Sequence, residues 1–128
     1  MATAAGKQHN KMKTRLAQLI AKEEGFGLAG KIPTLRNNPG DLRHSPHSQH
    51  PSDPNAVGTI GTLEDGWADL ERQLKLYASR GMTIRDCIYQ YAPPNENNSG
   101  QYLGFICHGL GCGPDALVSD ALRIPALS

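Results

Sequence analysis

Residues 16–26 read LAQLIAKEEGF, an apolar helical stretch that runs into two glutamates and then a glycine. Leu16 and Ile20 are one helical turn apart, on the same face as the other apolar residues of the stretch. Gly25 is the residue type that most often follows the end of a helix. The segment therefore predicts a first helix over residues 11–24, with an acidic pair where regular backbone gives way to loop.

The acidic pair is unusual at this position, because the helix macrodipole disfavours carboxylates at a C-terminal end. Steps of 100° per residue place Glu23 near the centre of the apolar stripe and Glu24 at its edge. A carboxyl group at such an edge is partly desolvated, which raises its pKa and suits a general acid. The residues alone leave two alternatives open: a functional acid at either position, or two solvated glutamates.

Length and composition indicate one domain with a modest core. The chain has 128 residues, of which 38% are hydrophobic and only 5% aromatic, and glycine and proline are both frequent. This balance favours a single compact domain wrapped by ordered loops. Residues 1–10 are small and polar and are predicted to form a flexible arm, so the domain is expected to cover residues 11–128.

Charge and hydropathy argue against several classes of protein. The net charge is +1, whereas a dedicated nucleic-acid binder normally carries a strong basic excess. No apolar run is long enough to span a bilayer, and the N-terminus lacks the regions of a signal peptide. We expect a monomer made in the cytoplasm, without membrane insertion, without general export and without a cofactor.

Three cysteines are present, at positions 87, 107 and 112. An odd count without a signal sequence argues against a disulfide framework. Cys107 and Cys112 are close enough in sequence to bridge, but the sequence favours buried free thiols at all three positions.

Three histidines are spaced three residues apart, at His44, His47 and His50. Clustered histidines can bind zinc, but this spacing matches no zinc motif, and Pro46 and Pro51 make the segment a loop. We therefore expect no metal, with a zinc site as the weaker alternative.

The rest of the chain predicts a mainly α fold. Residues 25–62 read as a small irregular or β-containing lobe, with a turn at residues 37–40 and a short strand or hairpin arm at residues 57–62. About five helices are expected in all. Those after the first are predicted to start near Thr62, Thr83 and residue 99, and a last short one to cover residues 115–122.

Four segments, taken in order, resemble a known family. Glu24-Gly25-Phe26 after an apolar helix resembles the start of the lysozyme superfamily, whose phage members carry the catalytic glutamate directly before such a glycine. The later segments resemble a phage-associated branch of muramidase and lytic-transglycosylase-like domains; they are residues 38–43 (NPGDLR), 59–67 (TIGTLEDGW) and 91–102 (YAPPNENNSGQY). The ordered set spans roughly residues 14–112. Asp41 is a departure, because the pattern usually has asparagine there.

The resemblance implies an α+β lysozyme-like fold and a peptidoglycan-degrading enzyme. Such an enzyme cleaves the β-1,4 bond between N-acetylmuramic acid and N-acetylglucosamine, with Glu24 as the general acid. Substrate-binding residues are then expected at Asn38, Arg43, Tyr91 and Asn97.

The sequence identifies a second catalytic carboxylate less clearly than it identifies Glu24. Asp41 and Glu64 are candidates by position, whereas Asp65 is explained by helix capping. A hydrolase needs a second acid, and a lytic transglycosylase works with one glutamate, so both reactions remain open.

A lysozyme-like protein without a signal peptide would act on the cell wall as an endolysin released through a holin lesion, or as part of a bacteriophage virion. Two alternatives to an enzyme follow from the residues. One is a non-catalytic lysozyme-like virion or tail component, or a cell-wall binding module. The other is a helix-turn-helix DNA binder over residues 63–91, which the net charge and the Pro93-Pro94 stop disfavour.

Overall fold

The computed structural model describes residues 14–49, 57–94 and 98–127. These ranges contain six helices and one two-stranded sheet, which confirms a mainly α fold with a small β lobe. The elements are α1 (Arg15–Glu23), α2 (Ile32–Leu35), β1 (Ser48–Gln49), β2 (Thr59–Ile60), α3 (Leu63–Ser79), α4 (Ile84–Tyr91), α5 (Ser99–Leu110) and α6 (Val118–Ala121). The predicted arm, residues 1–10, lies outside the described residues. Among the described helices, none is long and apolar enough to span a bilayer.

The start of α1 is tied to α3 through Thr14. The Thr14 hydroxyl accepts a hydrogen bond from the backbone N–H of Ala17 at 3.1 Å, which is an N-cap. The Thr14 N–H itself donates to Oε1 of Glu71, a buried carboxylate on α3, at 2.6 Å. Thr14 therefore joins the start of α1 to α3. This contact helps to set the direction of α1 and hence the position of the glutamates at its C-terminus.

The core lies between α1, α3, α4 and α5. Leu16 and Ile20 of α1 are fully buried, as the periodicity predicts. Gly109 lets α5 approach α1 closely, since an added Cβ at Gly109 would lie 2.5 Å from a methyl carbon of Leu19. The remaining fully buried aliphatic residues of this core are Leu70, Leu74, Ile84, Ile88, Ile106 and Val118.

The lobe between α1 and α3 contains more regular structure than the sequence indicates. One helical turn, α2, begins with Pro33 in its first turn, where proline is well tolerated. The strand predicted within residues 57–62 is β2, and it pairs antiparallel with β1 in the register Ser48↔Ile60. Single turns and two-residue strands leave too short a pattern to detect from periodicity.

The predicted helix starts at Thr62 and Thr83 are confirmed. The Thr62 hydroxyl accepts from the N–H of Asp65 at 3.1 Å, and Thr83 forms a complete capping box with Asp86. Helix α5 ends at Gly111, which has φ of 71°. The last helix, Val118–Ala121, is shorter than the predicted residues 115–122.

The turn at residues 37–40 packs directly on the backbone of α3. An added Cβ at Gly66 would lie 2.0 Å from the carbonyl oxygen of Asn37 and 2.9 Å from Cδ of Pro39. Such distances are well below van der Waals contact, so the turn and α3 can meet only at a glycine.

Gly66→Ala is expected to destabilise the protein by at least about 2 kcal/mol, because overpacking outweighs the better helix propensity of alanine. Gly104→Ala is the matched control, since Gly104 also lies inside a helix but has no atom within 4 Å of an added Cβ. That control should gain about 0.5–1 kcal/mol. Urea unfolding of the three proteins measures both changes, and equal stabilisation by the two substitutions would contradict the packing.

Candidate functional site

Glu24 is the C-cap of α1 and lies half-buried at the end of the helix. Its N–H still donates to the carbonyl of Ile20 at 2.9 Å, and Gly25 then turns the chain with φ of 91°. Glu23 is exposed. The periodicity argument that centred Glu23 on the apolar face is therefore wrong, because the groups that cover the last turn of α1 lie on the Glu24 side.

Tyr102 on α5 is the first of these groups. Its hydroxyl donates a hydrogen bond to Oε2 of Glu24 at 2.8 Å. Burial and the nearby charge of Glu24 raise the pKa of Tyr102 far above its usual value, so the phenol remains a donor at every relevant pH. Tyr102 lies in the 91–102 segment that carries the resemblance but was not among the expected site residues; the available signal was that a buried tyrosine hydroxyl needs a partner.

Asp41 is the second group that acts on Glu24. It follows the turn at residues 37–40 and has φ of 53°, a left-handed conformation that aspartate tolerates better than most residues. Its Oδ1 is buried and receives no hydrogen bond from the N–H and O–H groups of the described residues, yet the side chain is hydrogen-bonded to Glu24. Two ionised carboxylates cannot donate to each other, so this contact requires a proton on one of them.

The surroundings favour the protonated form at Glu24 more than at Asp41. Burial raises the pKa of Glu24 from 4.5 to about 7; the Tyr102 hydrogen bond opposes this shift, while the charge and hydrogen bond of Asp41 add to it. Burial also raises the pKa of Asp41, but the hydrogen bond from Glu24 and the charges of Arg43 and Arg36 favour its ionised form. The two carboxyls therefore titrate together, with the protonated form favoured more strongly at Glu24 than at Asp41.

Asn38 holds the loop that carries Asp41. The Asn38 side chain is fully buried; its amide donates to the carbonyls of Leu42 and Gly58, both at 2.8 Å, and its Oδ1 accepts from the N–H of Leu42 at 3.0 Å. All these partners are backbone groups of the loop itself. The structure thus places Asn38 as a residue that shapes the loop, rather than on a surface open to substrate.

Tyr91 holds the same loop from α4. Its hydroxyl is buried and donates to the carbonyl of Gly40. An added Cβ at Gly40 would lie 2.7 Å from this hydroxyl, so the position requires glycine. The tyrosine that bonds to Glu24 is Tyr102, and Tyr91 acts on the turn before Asp41.

The remaining predicted site residues are Arg43, Glu64 and Asn97. Arg43 is exposed, and its charge acts on Asp41. Glu64 is exposed in the first turn of α3. Asn97 lies outside the described residues, so its predicted contact with substrate stays a prediction.

The histidine loop is attached to α3 through Asp69. Nδ1 of His47 lies 2.6 Å from Oδ1 of the buried Asp69, and Oδ2 of Asp69 accepts a hydrogen bond from the Ser45 hydroxyl at 2.6 Å. Asp69 raises the pKa of His47 by this hydrogen bond and by its charge. Across residues 14–49, 57–94 and 98–127, no three His, Cys, Asp or Glu side chains are grouped to hold a metal ion. His50 lies outside these ranges.

Comparisons of the chain with protein-family models, with curated proteins and with solved structures found no match. A half-buried glutamic acid whose pKa is close to 7, oriented by a phenol and placed beside a carboxylate, is suited to donate a proton at neutral pH.

Glu24→Gln should alter stability in a pH-dependent way. Because the folded pKa of Glu24 exceeds its unfolded value, the stabilisation from its protonated form is complete below pH 4.5 and is lost as the pH rises through 7. Glutamine does not ionise, so Glu24→Gln should be more stable than wild type at pH 8.5, by up to about 3 kcal/mol, and this advantage should vanish near pH 4.5.

Urea unfolding at a series of pH values measures this difference. Glu23→Gln, a change at the exposed neighbour, is the control and should show little pH dependence relative to wild type. A stability difference between Glu24→Gln and wild type that is independent of pH would contradict the raised pKa.

Proposed function

We propose that this protein cleaves the β-1,4 glycosidic bond between N-acetylmuramic acid and N-acetylglucosamine in peptidoglycan, with Glu24 as the general acid. The observation that carries the proposal is the half-buried Glu24 carboxyl, whose pKa of about 7 leaves a large protonated fraction at neutral pH. The position of this acid at the end of α1, directly before Gly25, is the position that the resemblance to phage lysozymes implies. The proposed partner is the glycan strand of the cell wall.

Glycosidic cleavage needs a proton on the leaving oxygen as the bond to the anomeric carbon breaks. Tyr102 supports this step in two ways, because its hydroxyl orients one carboxyl oxygen of Glu24 and stabilises the carboxylate that remains after proton transfer. Desolvation of Glu24 acts in the other direction: it raises the pKa of the carboxyl, so that the proton is still bound at neutral pH when the glycosidic oxygen needs it.

The placement of Asp41 bears on which reaction follows. Carboxyl groups that act from both sides of a sugar lie about 6.5–9.5 Å apart in inverting enzymes and about 5–5.5 Å apart in retaining ones. Glu24 and Asp41 are near enough for each to shift the pKa of the other, and this contact places the two carboxyls side by side rather than across a sugar ring. This contact supports the lytic-transglycosylase reaction, in which the N-acetyl and 6-hydroxyl groups of the sugar complete the reaction begun by one glutamate.

A non-catalytic virion component or wall-binding module is the alternative. Burial of a carboxyl group with a pKa raised to about 7 destabilises the folded protein at neutral and alkaline pH. A binding module gains nothing from that destabilisation, so the geometry at Glu24 favours the enzyme. The proposed site of action is the cell wall, reached after holin release or as part of a virion.

Digestion of purified peptidoglycan tests the proposal. Wild type should release muropeptides, and Glu24→Gln should lower the initial rate by about 10²–10⁴-fold, since glutamine cannot donate the proton. Glu23→Gln is the matched control and should keep most of the activity. Mass spectrometry of the products assigns the reaction: 1,6-anhydromuramic ends identify a transglycosylase, and reducing ends with added water identify a hydrolase.

Two results would overturn the assignment. Equal rates for wild type and Glu24→Gln would exclude Glu24 as the acid. Binding of the wild type to peptidoglycan without any product would support the wall-binding module instead.

Asp41→Asn separates a tuning role of Asp41 from a direct catalytic one. Asparagine tolerates the φ of 53° and can still accept a hydrogen bond from Glu24, but it removes the negative charge. The pKa of Glu24 should then fall, and the alkaline limit of the pH–rate profile should move to lower pH with activity retained. A rate lowered 10²-fold or more at every pH, with an unchanged alkaline limit, would instead make Asp41 the second catalytic acid.

A further inference from the structure

The three cysteines fall into two kinds of environment. Cys87 is fully buried in the core, as the sequence predicts. Cys107 and Cys112 are only partly buried, which corrects the prediction that all three thiols are buried. All three are free thiols in the structure.

Cys107 and Cys112 occupy the two ends of a Schellman motif at the C-terminus of α5. Gly111, with φ of 71°, donates its N–H to the carbonyl of His108 at 3.3 Å, and Cys112 donates its N–H to the carbonyl of Cys107 at 3.2 Å. These two bonds define the motif, which brings the side chains at its first and last positions into contact. Here both positions are cysteines, and each thiol is near enough to affect the pKa of the other.

We propose that Cys107 and Cys112 are a redox-active thiol pair that closes to an intramolecular disulfide in the presence of a small-molecule disulfide such as oxidised glutathione. The thiolate of one cysteine attacks a glutathione sulfur, forms a mixed disulfide and releases one reduced glutathione. The second cysteine thiolate then attacks the protein-bound sulfur and releases the second glutathione. Two electrons and two protons pass in total from the two protein thiols to the glutathione disulfide.

The native backbone brings the two cysteines together. The N–H of Cys112 donates to the carbonyl of Cys107 at 3.2 Å, and a disulfide requires Cα atoms about 4.4–6.8 Å apart. We therefore expect the bridge to close without unwinding α5.

The segment after Cys112 also docks on the start of α4. The N–H of Ile84 donates to the carbonyl of Ala116 at 2.8 Å, and that of Arg85 donates to the carbonyl of Pro114 at 2.9 Å. A bridge at Cys112 thus constrains the junction between α5 and α4 in addition to the end of α5.

Cys87 provides an internal control. Burial raises the pKa of the Cys87 thiol to about 12, so it has almost no thiolate at neutral pH and no access to solvent. Burial also raises the pKa values of Cys107 and Cys112, and the rate of bridging should therefore increase with pH.

The experiment uses the full chain, reduced with dithiothreitol, desalted and incubated with oxidised glutathione at pH 8.5. After acid quenching, denaturation and alkylation with N-ethylmaleimide, the oxidised protein should carry one label, on Cys87, whereas the reduced protein carries three. Chymotrypsin should then yield peptides on either side of Leu110 that remain joined until reduction. Trypsin is unsuitable, because residues 87–112 contain no lysine or arginine.

Cys107→Ser and Cys112→Ser are the test variants. Each should form a glutathione adduct on the remaining partner instead of an internal bridge. The oxidised wild type should also show a Tm several degrees above that of the reduced protein, since the bridge constrains the unfolded chain.

Three results would overturn the proposal. These are retention of three alkylatable thiols, separate glutathione adducts on Cys107 and Cys112 of the wild type, or a bridge that includes Cys87. A lower Tm after bridging would show that the disulfide does not fit the native motif. None of these readouts depends on peptidoglycan cleavage, so failure of the disulfide proposal can be distinguished from failure of the proposed function.

Discussion

The close approach of the 37–40 turn to α3 is the constraint on which the candidate site depends. Gly66 has no side chain, so the carbonyl of Asn37 can approach the backbone of α3 directly. A Cβ atom at this position would overlap that carbonyl oxygen. The turn is then secured by the buried Asn38 amide and by the Tyr91 hydroxyl. Together these contacts hold the next residue, Asp41, near Glu24. The sequence of the loop alone would not place Asp41 there.

Coupled titration of two carboxyls joins the two halves of the site. Glu24 comes from the end of α1, and Asp41 comes from the loop before β1; both carboxyls are partly removed from water. Desolvation and like charge favour a single ionisation between them, and Tyr102 orients the group that keeps the proton. The arrangement resembles other carboxyl pairs in which environment, rather than residue type, decides which group is the acid.

Much of the fold could be predicted because its signals are local. The caps at Thr62 and Thr83, the apolar stripes of α1 and α3 and the glycine that ends α5 depend on neighbours within one or two turns. Short elements such as α2 and β1 could not be predicted, since one turn or two residues carry no periodicity. The role of Tyr102 was missed for a related reason: a tyrosine on an apolar helix face looks like core until its partner is known.

The sequence by itself determined the helix starts at Thr62 and Thr83, the mainly α class and the presence of two adjacent acids before Gly25, because these follow from propensity and spacing. Periodicity placed Glu23 at the centre of the apolar stripe and left either acid open, and the resemblance implied Glu24. Only the tertiary structure decided which carboxyl is partly buried, since α5 and the Asp41 loop act on Glu24. Burial depends on what packs against a residue from distant parts of the chain, and therefore so does the pKa near 7 that distinguishes Glu24 as the proposed proton donor.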